Sequence, residues 1–354
     1  MTDALHVAST ADGTGKTAIA IALGMIAQDH GLEIGYMKPK GVRLRTRAGA
    51  LIDEDPTFAA ALLDLEADVH TMEPIVYSTA FLRDVVRGDE SIQTLRDRVI
   101  ARYETLSADV DLMIVEGARR ISTGGIIELT DIDVAKLLGG SVLVIGGHQH
   151  VEDLDAVLAA ASGFGDQFHT LLFNDIARSH VGDLRTDIIP FLERRGISIA
   201  GAIPHRGQLA AVSVEELTAA VEAQRLTTID PEAFVERYAV GAMSSELAFQ
   251  QFRRLQNAVV ITGSDRPGIQ AAAIEAAGVT ALLLTGVRQP PQQLIGAAQR
   301  AGTSVLMTNK DAVTTIERVE SVLAAGRSGD PAMVELMRDL LVDHADPALI
   351  LGLD

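Results

Sequence analysis

The apolar run Leu5–Ser9 (LHVAS) leads directly into Thr10-Ala11-Asp12-Gly13-Thr14-Gly15-Lys16-Thr17, and small and apolar residues follow. That order reads as strand, tight loop and helix. Gly13 and Gly15 let the backbone turn sharply and aim its N–H groups at phosphate oxygens. Lys16 suits β/γ-phosphate charge, and the Thr17 hydroxyl suits Mg²⁺. The common GxxxxGK[ST] pattern has Gly where this chain has Thr10, so the loop is a variant. The alternative is a glycine turn that binds nothing; the strand context and the GKT triplet favour the cradle. The expected nucleotide contacts are Thr10, Asp12, Gly13, Thr14, Gly15, Lys16 and Thr17.

The rest of the composition narrows the class. A chain of 354 residues suits two domains rather than one small core. With 47% hydrophobic residues there is material for buried parallel strands and the helices that cover them. A net charge of −18, no Trp and 4% aromatics argue against a nucleic-acid partner. The absence of Cys excludes disulfides and thiolate chemistry. Met1 leads into a strand without a leader pattern, and no apolar run approaches the roughly 20 residues of a membrane span. The expectation is a cytoplasmic protein with no membrane partner.

Short apolar runs alternate with helical-period segments, which predicts an α/β fold with a mostly parallel sheet covered on both faces. The expected strands are Ala4–Ser9, Glu33–Lys38, Leu112–Glu116, Ser141–Gly146, Thr170–Asn174 and Ile197–Ile203. Helices are expected over Lys16–His30, Val134–Leu138 and Asp153–Phe164. A long, partly helical connection from Gly41 to Asp111 is the expected place for substrate contacts. Ser213–Arg225 reads as a helix opened by a Ser213/Glu216 capping box. A second series begins near Val240, with strands at Ala258–Thr262, Ala281–Thr285 and Ser304–Thr308. Pro267 and Pro290 are expected in first helical turns, and Asp330–His344 as a terminal helix docked on a core, with a dimer contact as the alternative. The domains read as 1–225, 226–325 and a helical tail, 326–354.

These motifs resemble the dethiobiotin synthetase-like branch of P-loop proteins. Besides the GKT loop, Gly35-Tyr36-Met37-Lys38-Pro39, Asp53-Glu54-Asp55, Ile114-Val115-Glu116-Gly117-Ala118, Phe173-Asn174-Asp175 and Gly201-Ala202-Ile203-Pro204 follow in that family's order. The resemblance implies ATP (or GTP) and Mg²⁺ as cofactors, with Lys16 and Lys38 as catalytic lysines. It further implies Thr17, Asp55 and Glu116 around the metal, Asn174 and Pro204 around the base, and a homodimer. Taken alone, Glu116 is a strand-end acid at the sheet's carboxyl edge, where a cation or Lys partner is expected; a helix N-cap or surface acid is the alternative. Lys38 has a water-facing strand end as its alternative, and Asn174 a turn. The chain departs from the family at Arg119-Arg120-Ile121, where Gly-rich backbone is usual, and at Ala11-Asp12, so biotin synthesis is not expected. Lys38, Lys40, Arg43, Arg45 and Arg47, with Arg119 and Arg120, read as a pocket for a small anionic substrate or as a solvated basic loop.

The second series resembles the DRTGG domain through Val240-Gly241-Ala242-Met243-Ser244, Asp265-Arg266-Pro267-Gly268-Ile269 and Leu284-Thr285-Gly286. Ser264 or Asp265 would cap the next helix, and Arg266 would meet an anion or a partner; a structural Asp–Arg pair is the alternative. The order of the two domains resembles the N-terminal regulatory portion of long phosphate acetyltransferases, here read as standing alone. That implies a nucleotide-responsive regulator tied to acetyl-CoA or acetate metabolism, with an enzyme of that metabolism as partner. An ATP-dependent ligase acting on a small carboxylate is the second reading. His148 and His150 flank Gln149 as a loop pair or a metal site lacking a third ligand, and Ser122-Thr123-Gly124-Gly125 reads as a flexible turn, with a nucleophile or phosphate contact as the alternative.

Overall fold

The computed structural model describes residues 2–47, 49–148, 150–228, 230, 233–325 and 330–353. Its contacts divide into two compact units, Met1–His205 with Ser328–Asp354, and Arg206–Arg327. In chain order the second unit is therefore an insertion within the first. Residues 206–225, grouped with the first domain from the family resemblance, fall in the second unit, whose core takes in Val212, Val214, Leu217 and Val221. The C-terminal segment belongs to the first unit; residues 326–329 of the expected tail lie outside the described residues.

The sheet of the first unit contains β1 (Asp3–Ser9), β2 (Ile34–Met37), β3 (Leu112–Glu116), β4 (Ser141–Gly146), β5 (Phe168–Ile176) and β6 (Ile199–Pro204). All pair in parallel, in the order β6-β5-β4-β1-β3-β2. Their apolar residues run almost without a break because both faces are covered. Ala4, Ala8, Met113, Val115, Val142 and Val144 pack under one layer of helices: α3 (Ile92–Leu106), α4 (Asp131–Leu138) and α5 (Val151–Phe164). The opposite face carries α1 (Lys16–Asp29), whose small residues permit close packing. A side chain at Gly24 would meet Leu63 Cδ2 at 2.8 Å and Ile114 Cδ1 at 3.2 Å. Leu63 closes α2 (Glu54–Leu62), one of several helices in the long connection after β2.

The order of strands reverses at β1. From there α1 leads to β2 on one side, while β4, β5 and β6 extend on the other. Such a reversal opens a crevice at the carboxyl ends of the strands, and the glycine loop lies there. The C-terminal helix, Pro331–His344, packs along α1 through buried Val334, Met337, Leu340 and Leu341, and Arg338 pairs with Asp29. Beyond it, the Asp346 amide donates to the Ala200 carbonyl at 2.7 Å, which ties the segment to β6.

The second unit has a parallel sheet of β7 (Arg237–Val240), β8 (Ala258–Gly263), β9 (Val279–Thr285) and β10 (Ser304–Thr308). Gln224–Arg225 adds an antiparallel edge beside β10. The Ser213/Glu216 capping box forms as expected, but its helix ends at Ala220 rather than Arg225. Glu222 turns the chain at φ 51, and the next residues join the sheet. Pro267 opens a helix, whereas Pro290 does not: Pro291 caps the helix that begins at Gln292. Ser264 and Asp265 are not caps either; Arg266 occupies the N-cap position of Pro267–Glu275. No described helix is long and apolar enough to cross a membrane.

Leu341 is fully buried on the helix that covers α1. Leu341→Ala should destabilise the first unit by about 2–5 kcal/mol, the range for an uncollapsed core cavity. A denaturant titration read by hydrogen exchange in α1 measures this, and exchange in the second unit's strands should change little.

Candidate functional site

The glycine loop leaves β1 with Gly13 and Gly15 at φ 70 and 80, values that a side chain would strain. Among the described residues, none accepts a hydrogen bond from the amides of Thr14, Gly15, Lys16 or Thr17, and Thr14 Oγ1 is buried without a partner. Thr10 and Asp12 frame the loop: the Thr10 amide donates to Ile145, and Asp12 accepts from the Gly13 amide at 3.0 Å. Donors that are buried or clustered without acceptors are costly.

Lys16 is buried. Its ammonium donates to Ser9 Oγ at 2.7 Å and to the Arg119 carbonyl at 3.1 Å. Burial pushes its pKa down, and Glu116 opposes that shift. Ser9 carries no motif of its own, and its side chain is placed here only because it ends β1. Thr17 donates to Glu116 Oε1 at 2.8 Å, which leaves the lone pairs of its oxygen available.

Lys38, just past the end of β2, is fully enclosed. It pairs with Asp55, with Asp53 at 3.2 Å and with Glu116 at 3.4 Å. Burial lowers the lysine's pKa, but the three carboxylates outweigh it and hold the group charged. Burial likewise pushes Asp55 up, and Lys38 and Arg43 reverse this so that it stays ionised. Glu116 goes up, chiefly through burial. The structure therefore brings Lys16, Thr17, Lys38, Asp55 and Glu116 together from four separate stretches of chain. Asp53 works beside them as a local organiser, accepting from the amides of Val42, Arg43 and Asp55 at 2.7–2.9 Å.

Asn174 is at the end of β5, with its amide nitrogen 2.9 Å from the Thr14 carbonyl. Pro204 ends β6, and the neighbouring His205 and Asp175 pair at 2.5 Å. The C-terminal helix reaches the same corner: a side chain at Gly15 would meet Asn174 Nδ2 at 2.9 Å and Met337 Cε at 3.8 Å.

The expected basic pocket does not assemble as a group of free cations. Lys40 is buried and clamps a loop, donating to the carbonyls of Thr123 and Leu129 and to Asp131 at 3.0 Å. Arg43 binds Asp55 at 2.8 Å, Arg45 lies 3.6 Å from Glu54, and Arg119 lies 3.5 Å from Asp12. Acids near in sequence or in space pair with Lys40, Arg43, Arg45 and Arg119. The side chain of Arg47 lies outside the described residues. In the second unit Arg266 donates to the carbonyls of Gly241 and Met243 at 2.7 and 2.8 Å, so its guanidinium pins the end of β7. The His148 ring meets His180 edge-on at 5.7 Å, and Gln149 lies outside the described residues. Thr123 serves the turn after β3, its hydroxyl accepting from the Arg120 amide at 3.2 Å.

Three site residues had no role assigned from the sequence. Ser9 anchors Lys16. Tyr36, fully buried, donates to Glu116 Oε2 at 2.6 Å. Glu73 accepts from the Asp53 amide at 2.9 Å, and its Oε1 is buried without a partner. The period of 2 in β2 sets Tyr36 on the same side as Lys38, which was the available signal for Tyr36.

Comparison with known proteins identifies the two domains. A family model described as "AAA domain" (AAA_26) matches residues 3–213, and the model of the DRTGG domain matches 216–322. The chain belongs to the AAA_26 family. It is a dethiobiotin synthetase-like P-loop domain followed by a DRTGG domain. The phosphate acetyltransferase of Pseudomonas putida is 22% identical over 366 residues, covering 97% of this chain and 50% of that protein. The ATP-dependent dethiobiotin synthetase BioD of Caldicellulosiruptor saccharolyticus is 25% identical over 114 residues, covering 32% of this chain and 47% of that protein. The chain thus spans about half the length of these curated relatives. Among solved structures, a putative plasmid partition protein from Borrelia burgdorferi bound to AMPPNP aligns over 58% of this chain and 87% of its own, at 14% identity and a TM-score of 0.38.

Two buried groups give this unit opposite responses to pH. His6 on β1 faces the Gly139 carbonyl at 2.6 Å, and burial pushes its pKa from 6.5 down to about 4. It is neutral when folded, so its contribution is complete above pH 6.5 and is lost as pH falls from there toward about 4. Burial instead pushes Glu73 from 4.5 up to about 7. Its contribution is complete below pH 4.5 and is lost as pH rises toward about 7. His6→Gln should flatten the acid limb of stability against pH, and Glu73→Gln the limb toward neutrality, by about 1–3 kcal/mol each. Chemical denaturation from pH 4 to pH 8 measures both slopes.

Proposed function

We propose that this protein is a Mg²⁺-dependent nucleoside-triphosphate-binding regulator related to the N-terminal half of phosphate acetyltransferase and tied to acetyl-CoA or acetate metabolism. The observation that carries the nucleotide reading is the loop itself: four successive amides and the Thr14 hydroxyl lack acceptors, beside Lys16 and the Thr17–Glu116 pair. A triphosphate supplies those acceptors. Among the described residues, no group of three His, Asp or Glu could hold a metal unaided. Mg²⁺ commonly binds through one or two carboxylates plus substrate phosphates, so Thr17, Asp55 and Glu116 fit a site that the nucleotide completes. When bound, Mg²⁺ would neutralise phosphate charge. Lys16 would exchange Ser9 Oγ and the Arg119 carbonyl for phosphate oxygens. Asn174 and Pro204 would border the base, Asn174 giving up the Thr14 carbonyl.

The link to acetyl-CoA metabolism rests on the alignment with phosphate acetyltransferase along 97% of the chain. Connectivity supports a regulatory role. The chain enters the inserted unit directly after Pro204-His205, and it returns as the helix that lies against α1 and the glycine loop. Changes at the nucleotide would thereby reach both tethers of the DRTGG unit, and through it a partner enzyme. A homodimer belongs to the same proposal, as does a cytoplasmic location.

The second reading, an ATP-dependent ligase acting on a small carboxylate, is favoured by one observation: the Lys16, Lys38, Thr17, Asp55 and Glu116 set is assembled in full. Arg43 and Arg119 at its rim are half-exposed or exposed and would meet the anion by releasing Asp55 and Asp12.

Calorimetry with Mg-ATP and Mg-GTP should show binding of at least one. Lys16→Ala should lower that affinity by at least about tenfold, or 1.4 kcal/mol, while staying folded. Unchanged affinity in the variant would mean the nucleotide sits elsewhere. Phosphate release that stays negligible with a panel of small carboxylates supports the regulator, and strong stimulation by one acid replaces it with the ligase.

A further inference from the structure

Glu116 is buried, and both of its oxygens are engaged from different sides. Oε1 accepts from Thr17, and Oε2 accepts from Tyr36 at 2.6 Å. Tyr36 pairs across the sheet with Ile114, two residues before Glu116 on β3. That diagonal offset is within reach of a long aromatic side chain. The ring is wholly buried, which holds the hydroxyl in place as a fixed donor to Oε2. A carboxylate attached on one side only could rotate between Lys38 and Thr17. With Oε2 tied to Tyr36, Oε1 is held against the Thr17 hydroxyl.

Resting on the nucleotide reading above, we infer that Tyr36 is a positioning residue for the divalent cation: it locks Glu116 so that Oε1 and Thr17 present one fixed arrangement to Mg²⁺. Removing the hydroxyl leaves Oε2 as a buried acceptor without a donor and frees the carboxylate to rotate away from Thr17. Both effects weaken cation binding. Neither touches the amides of the glycine loop, so nucleotide binding without metal is preserved.

The test uses the full chain and Tyr36→Phe, with a fluorescent ATP analogue titrated in EDTA and Mg²⁺ titrated at fixed analogue. The expected result is a Mg²⁺ midpoint raised about tenfold, with affinity in EDTA unchanged within about twofold. A double-mutant cycle with Glu116→Ala, which leaves Tyr36 no oxygen to hold, separates positioning from general support: Y36F should add nothing once that side chain is gone. If Y36F alone melts below the assay temperature, Y36F/E116A is compared with E116A, where equal midpoints support the inference. An unchanged midpoint in folded Y36F, an equal loss with and without Mg²⁺, or a further loss in the double variant overturns it. Wild-type protein that binds no analogue in either condition overturns the nucleotide reading, and this inference with it.

Discussion

The enclosed ammonium of Lys38 is the interaction around which the first unit is arranged. Three carboxylates approach it, from the N-cap of α2, from the first turn of α2 and from the end of β3. None of these charges is affordable alone in so dry a place, because an unpaired buried ion costs several kcal/mol. Together they fix the start of the long connection relative to the sheet. Asp53 makes this visible. One carboxylate caps its own helix, receives the amides of Val42 and Arg43, and faces Lys38. The hairpin Leu44–Arg47/Ala50–Asp53 is held at one end by this carboxylate. A charge network thus shapes the rim of the candidate site, where apolar packing would have been indifferent to direction.

The network is crowded with acids but close to balanced. Lys38, Arg43 and Lys16 lie among Asp53, Asp55 and Glu116, and Glu73 adjoins Asp53. There is little room in it for one more negative charge. This explains why Glu73 retains its proton so readily: a further negative charge beside Asp53 would meet repulsion as well as burial. The same reasoning tells against the basic pocket read from Lys40, Arg43, Arg45 and Arg119. In a chain of net charge −18, cations near a carboxylate cluster find acids before they find substrates.

Much of the site was legible because its pieces are local. Gly13, Gly15, Lys16 and Thr17 sit within five residues, and Glu116 is announced by the apolar strand that ends in it. Strand ends in a parallel sheet converge on one edge, so naming the strands nearly sufficed to place Lys38 and Asn174. What stayed hidden depended on contacts across long sequence distances. Lys40 meets Asp131, 91 residues on. Tyr36 meets Glu116, 80 residues on, and resembles any buried aromatic of a strand. The turn of chain that returns residues 330–353 to the first unit is similarly silent in sequence. A helix with Val334, Met337, Leu340 and Leu341 on one face states that it is covered, and leaves open by what.

That return has a mechanical consequence. Had the P-loop unit been completed before the DRTGG unit began, a single linker would join them, and strain at one would dissipate along it. An insertion has two attachments. Here one follows β6 at Pro204, and the other precedes a helix whose buried face lies on α1, the helix that starts at Lys16. Packed helices move as bodies because their interfaces are close to crystalline density. A shift of α1 on filling the glycine loop would therefore be passed to the C-terminal helix as a displacement, through contacts such as Met337 against Gly15 and Arg338 with Asp29. In this fold the glycine loop lies close to both attachments: Asn174 joins Thr14 beside the Asp175–His205 pair, and Met337 of the Pro331–His344 helix approaches Gly15, so residues far from the GKT motif in sequence stand next to it in space.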